Sequence, residues 1–231
     1  MFLSSDIPTG FFVVIAVVVV GIIGSVYSYF AAEKRREGLI DLARRLNLTF
    51  SAEPDYGIAD RYEFLKQLAQ GDNRYAFNVC AGAFQGYDVL AFDYHYETTT
   101  HDKNGTHTHH HYFSFFILVL PGFFPTLTVR RENFLTRIAE VFGYQDIRFE
   151  SAEFSKAFCV RSADKKFAYD FCNPQMMEYL LANRDVSIEI ENQALALAFD
   201  SCLSPAQFES NLNRLVRLRA LMPEYLFSQT A

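Results

Sequence analysis

Residues Phe11 to Phe30 read FFVVIAVVVVGIIGSVYSYF, twenty positions without a charge. At about 1.5 Å rise per residue, a helix of that length covers roughly 30 Å, the thickness of a bilayer's hydrocarbon core. The β-branched stretch Val13–Val20 makes a poor isolated helix in water. In lipid, unpaired backbone groups cost so much that a helix is forced. Tyr27 and Tyr29 lie near one end, where aromatic rings favour the membrane interface. The expectation is a transmembrane helix over 11–30 behind a short extracytoplasmic segment, 1–10. A cleaved leader would need a basic n-region and a shorter apolar run, whereas the charge in MFLSSDIPTG is Asp6 alone.

The flanks set the expected orientation. Lys34, Arg35, Arg36, Arg44 and Arg45 follow the run and no Lys or Arg precedes it. The positive-inside rule then puts the N-terminus outside and the larger part of the chain in the cytoplasm. No second apolar run of this length occurs, so a single pass is expected. Gly21/Ser25 and Gly24/Ser28 have the small-xxx-small spacing that lets two helices approach closely, so a homodimer through this face is one partner to consider beside the bilayer.

Residues 31–47 (AAEKRREGLIDLARRLN) continue as a basic juxtamembrane helix with Leu39, Leu42, Ala43 and Leu46 on one face. That stripe should pack on the following domain, with the basic flank fixing topology. Strands are expected at Leu48–Ala52, Tyr75–Ala81, Tyr87–Tyr96, Tyr112–Leu120 and Thr126–Arg130, then a helix over Glu132–Phe142. Ile147–Glu150 and Phe158–Ser162, a helical pair within Asp164–Ala182, and strands Val186–Ile190 and Ala194–Phe199 follow. The closing helix, Pro205–Leu221, is well marked: Ser204 as N-cap, Pro205 at the first position, and Gln207 completing a capping box. There is no regular βαβ alternation. The fold class is therefore α+β: one mixed, largely antiparallel sheet covered by helices, over 48–231. The 24 Phe are assigned chiefly to its core, and FFILVL at Phe115–Leu120 reads as a strand buried on both faces.

All six histidines fall within residues 95–111. Asn104-Gly105 is a strong two-residue turn signal, which makes 87–120 a long hairpin. With that turn, Asp102 faces His107, Thr100 faces His109, Thr98 faces His111 and Tyr96 faces Phe113. Alternation puts His107, His109 and His111 on one face with Asp102, and His95, His101 and His110 on the other. His107 and His111, about 13 Å apart, cannot share an ion. The best candidate ligand set is Asp102, His107 and His109, with zinc the metal it would suit. The plain alternative is a solvated polar tip.

Other chemistry is sparse. Cys80, Cys159, Cys172 and Cys202 lack C-x-x-C spacing, and a cytoplasmic domain would keep them reduced. There is no phosphate loop, G-x-S-x-G elbow, H-E-x-x-H or dinucleotide fingerprint. Glu189/Glu191 read as alternation on an exposed strand, and Arg130-Arg131 and Lys165-Lys166 as solvated surface. A net charge of −6 gives no broad footprint for nucleic acid.

The segments RREGLIDLARRLNLTF, LAFDYHYETTT and FFILVLP, with FESAEFSKAFCVRSADKKFAYDFCNPQMMEYLL, resemble a family of uncharacterised bacterial membrane-anchored proteins over about residues 31–225. The resemblance implies a bacterial source and the inner membrane, and it supplies no activity or site residue. The resulting expectation is a single-pass protein displaying a cytoplasmic α+β binding or scaffolding domain for an unknown protein partner. A metal-binding protein using the hairpin tip is the alternative, and a membrane-bound hydrolase the third.

Overall fold

A computed structural model describes residues 9–103, 105–131 and 146–228, with side chains from Val18 onward. One uninterrupted helix, α1 (Thr9–Arg45), takes in both the apolar run and the basic segment after it. Among the described residues, no helix is long and apolar enough to cross a membrane. The expected span reaches back over 11–17, whose side chains lie outside the described residues. The part that is described stands uncovered. Val20, Ile22, Ile23, Tyr27, Tyr29 and Phe30 are all exposed, whereas Leu39, Leu42 and Ala43, one to two turns beyond Arg35, are buried against the domain.

The domain is built on a six-stranded antiparallel sheet: β1 (Thr49–Ser51), β2 (Asp72–Phe84), β3 (Tyr87–Asp102), β4 (Gly105–Arg131), β5 (Phe158–Ser162) and β6 (Ser187–Ala198). β4 is its spine. One edge pairs first with β3 and then with β5, while the other pairs with β6 from Phe115 to Val129. Two expected strands therefore merge into one. Pro121 and Pro125 have no N–H to give a ladder, yet the strand continues because register shifts fall between Val119 and Phe124 and between Phe124 and Leu127. The two short strands expected at Val186–Ile190 and Ala194–Phe199 likewise merge, with Asn192 at φ +52° taking up the irregularity.

Both faces of the sheet are covered. Phe116, Leu118, Val89 and Ala91 meet Leu39 and Leu42 of α1, together with α4 (Lys165–Phe171), α5 (Pro174–Ala182) and α6 (Pro205–Leu221). On the reverse, Phe92, Tyr94, Phe113, Phe115 and Ile117 meet Ile58, Leu65 and Leu68, from α2 (Tyr56–Arg61) and the turns after it. The burial of FFILVL on both faces, with Val119 alone only half-buried, follows from this sandwiching, and eleven phenylalanines among the described residues are buried in the two cores, so Phe serves here as packing. α2 and α3 (Ala152–Ala157) are each six residues long, too short for a periodic signal; their Asp55 and Ser151 caps mark them. The expected capping box of α6 is present: Gln207 N–H donates to Ser204 Oγ at 3.4 Å, and Ser204 N–H to Gln207 Oε1 at 2.9 Å. The helix expected over Glu132–Phe142 lies outside the described residues. A four-residue helix, α7 (Tyr225–Ser228), ends the described chain.

The hairpin register differs from the expected one by two residues. Asp102 pairs with Gly105, Thr100 with His107, Thr98 with His109, Tyr96 with His111 and Phe92 with Phe115. Gly105, at φ +138°, is a ladder residue here and not the second turn residue that Asn104-Gly105 implied. A shift of two preserves which side chains share a face, so the face assignments stand while every cross-strand partner changes.

Candidate functional site

Along β3, alternate residues on the α1 side change character. Val89 and Ala91 are apolar core, and then Asp93, His95 and Glu97 follow on the same face. Asp93 is where α1 leaves the sheet. Its carboxylate, fully buried, accepts two hydrogen bonds from the Arg35 guanidinium at 2.6 and 2.9 Å. Asn78 Nδ2 and Ser114 Oγ donate to it as well, at 2.9 and 2.8 Å. Arg35 Nε donates to the Leu203 carbonyl at 2.7 Å, and Leu203 N–H donates to Ser114 Oγ at 2.9 Å, closing a ring of fixed partners. Arg35 is thus a joint between α1 and the sheet. Arg36, Arg44 and Arg45 also hold carboxylates, those of Glu33, Asp41 and Glu209.

Two residues further along, His95 is 2% exposed, its ring between Tyr75 and Tyr112 at centroid distances of 4.6 and 4.8 Å. Its Nδ1 lies 3.1 Å from the Asn73 carbonyl and its Nε2 3.1 Å from Nδ1 of His110. Glu97 Oε1 is 3.4 Å from His110 Nδ1 and 3.9 Å from His95 Nε2. Asn73 Nδ2 donates to the same Glu97 oxygen at 2.6 Å. These three donor atoms, on His95, Glu97 and His110, all lie within 4.8 Å of one another.

The residues singled out at the tip are arranged more loosely. His107 Nε2 is 3.6 Å from Asp102 Oδ1, both about half exposed. His109 Nε2 lies instead 3.4 Å from Thr100 Oγ1. His111 stacks on Tyr96 at 4.4 Å with Nε2 2.8 Å from Thr98 Oγ1. Alternation had separated His95 and His110 from the tip set. Without a register and the Asn73 contact, nothing in the sequence joined them to Glu97. In the proposed helix-packing stripe, a Cβ on Gly21 or Gly24 would meet nothing within 4 Å, while Ser25 and Ser28 bond to carbonyls of their own helix.

A second buried ionic group corrects two surface readings. Glu189 is 2% exposed and Arg130 7%, with 4.0 Å between Arg130 NH2 and Glu189 Oε2. Strands β4 and β6 pair Thr128 with Glu189 in the middle of the sheet, which is why neither side chain reaches solvent freely. Glu189 accepts N–H bonds from Lys66 and Gln67 at 2.6 and 3.3 Å, so it also pins the segment after α2. Burial pushes its carboxyl above the ordinary range, opposed by Arg130 and the two N–H groups, and burial likewise lowers Arg130. Lys165 and Lys166 are at the exposed start of α4 as expected. Cys80, Cys172 and Cys202 are free thiols, Cys159 Sγ donates to Asp146 Oδ1 at 3.1 Å, and burial raises the Cys80 thiol to about 12.

No family model and no curated protein matches the chain. Among solved structures, the chain is similar to the crystal structure of the mycobacterial trehalose monomycolate transport factor A, TtfA, with a TM-score of 0.55 and 16% sequence identity. The match covers 82% of this chain and 95% of that one, so the two share a fold over nearly their whole domains.

Proposed function

We propose that this is a single-pass membrane protein whose α+β domain is displayed on the cytoplasmic side as a binding or scaffolding module. The observation that carries the reading is α1. Its described apolar part, Val18–Phe30, is uncovered on every side and would extend about 20 Å at helical rise. Residues 11–17 are also uncharged and bring the run to the roughly 30 Å of a bilayer core. An isolated stripe of Val, Ile and Phe this size is costly in water, and lipid relieves the cost. Arg35, Leu39 and Leu42 clamp the same helix to the domain, so an anchor of this kind would hold the domain in a set orientation.

That orientation gives the hairpin a place. Read toward the N-terminus, the chain passes from Leu48, just beyond α1 and beside Gly82, along α1 to Arg35 on Asp93, the sense in which β3 runs from Val89 to Glu97. The arm and the uncovered stretch leave the domain at the same end, so the arm would lie near the headgroups. The fold neighbour is named as a transport factor; the role proposed for this chain is to hold a partner at the membrane.

Two measurements test this. The full chain expressed in bacteria should stay in the membrane pellet after an alkaline carbonate wash, and the double variant Ile22→Arg/Ile23→Arg should be released. Release of the unaltered chain defeats the anchor. A fluorescent protein that matures only in the cytoplasm, fused at the C-terminus, should glow; a dark fusion reverses the orientation.

A further inference from the structure

We propose that His95, Glu97 and His110 form a site for one divalent transition-metal ion, with zinc the ion its donors suit best. The inference stands apart from the membrane reading, since it rests on the sheet alone. Two imidazole nitrogens and one carboxylate oxygen are the donor set of an open tetrahedral zinc site, in which the fourth position goes to water or a ligand. Bonds of about 2.0–2.1 Å in that geometry put neighbouring ligand atoms roughly 3.3 Å apart. The three separations here are 3.1, 3.4 and 3.9 Å, so the triangle needs little movement to close on an ion.

The surroundings prepare the donors. The Asn73 carbonyl can only accept, so His95 Nδ1 carries its proton and Nε2 keeps the lone pair that points at His110 and Glu97. A metal-bound histidine typically has this outer hydrogen bond, which fixes both tautomer and ring angle. Asn73 also aims Glu97 through its side-chain amide. It can do both because β2 breaks register between Asp72 and Tyr75 and Asn73 takes φ +47°, a conformation Asn tolerates better than most residues. Tyr75 and Tyr112 hold the His95 ring from either side. His110 is half exposed, which leaves the ion an approach from solvent. On binding, the hydrogen shared between His95 Nε2 and His110 Nδ1 has to go. Neutral His110 keeps one proton by carrying it on Nε2, so no net proton need be released there.

The tip is the internal control, because Asp102, His107 and His109 do not converge in the same way. The test is a cobalt titration of the full chain, tag-free and in detergent micelles, read by the visible bands of four-coordinate Co²⁺, followed by competition with zinc. The wild type should take up one equivalent that zinc displaces. His110→Ala and Glu97→Gln should each weaken binding at least tenfold, and Asn73→Gly, which keeps the backbone conformation but loses the amide, by about tenfold. His107→Ala/His109→Ala should bind like the wild type. His95 is avoided because its burial would confound folding with binding. A wild type without saturable uptake overturns the proposal. So does uptake that survives His110→Ala or disappears in the tip double variant.

Discussion

Asp93 and Glu97 lie four residues apart on one face of one strand, yet the sheet treats them differently. Asp93 is sealed off and satisfied by four fixed hydrogen bonds, two of them from a permanent cation. Glu97 keeps about a fifth of its side chain in water, accepts one amide, and faces two imidazoles. A carboxylate saturated by donors that cannot leave is a structural joint. One faced by rings with lone pairs of their own still has capacity for a ligand. The difference follows from what covers the sheet: α1 lies over Asp93 and has departed before Glu97.

Removing the joint should have the largest effect. Asp93→Asn takes away the charge facing Arg35 while leaving the guanidinium partly buried, and breaking such a pair from one side costs about 3–5 kcal/mol. Arg35 retains some exposure, which places the loss near the lower end, about 3 kcal/mol. Urea unfolding of the full chain followed by far-UV circular dichroism checks this, since the chain has no Trp to report by fluorescence. A loss below about 1 kcal/mol would mean that the helix is held by Leu39 and Leu42 alone.

Glu189 offers a third carboxylate, buried like Asp93 but short of compensation, and its effect should be smaller and dependent on pH. Burial raises its folded value above the unfolded one, so the folded state favours the protonated acid. Its contribution is then fully present below the unfolded value, and it is lost as pH climbs through the ordinary carboxylate range to the folded value. Glu189→Gln cannot titrate. The stability of the wild type relative to this variant should therefore fall as pH rises above about 4.3, measured by unfolding at a series of pH values. A relative stability that rises instead would show that Arg130 outweighs burial.

These three carboxylates also show how far local pattern reaches. The core face of α1, the capping box of α6 and the doubly buried FFILVL strand are local rules of period and spacing, and each is found where the pattern put it. Asp93–Arg35 joins residues 58 positions apart, and Glu189 meets Lys66 across 123, so no window of sequence holds either. The merging of Tyr112–Leu120 with Thr126–Arg130 was hidden because proline reads as a stop unless β4 is known to bulge there against β6. At the histidines a turn slipped by two residues kept the faces and changed the partners. Face arithmetic could separate His95 and His110 from the tip, but only the actual register sets Glu97 opposite His110, and only the Asn73 bulge adds the amide that holds the carboxylate there.

The smallest expected effects lie beyond Glu97. Glu97→Gln keeps an oxygen for Asn73 to donate to and should change unfolding stability by no more than about 0.5 kcal/mol. For His107→Ala/His109→Ala even less should change, because Asp102 and Thr100 are exposed and water can replace the lost partners. Metal-free unfolding curves of both variants against the wild type provide the measurement. A shift above about 1 kcal/mol in the tip double variant would mean the arm is braced through its histidines. The change along β3 would then be one of packing rather than of fixed joint against available ligand, since a braced tip would have no more capacity to spare than Asp93.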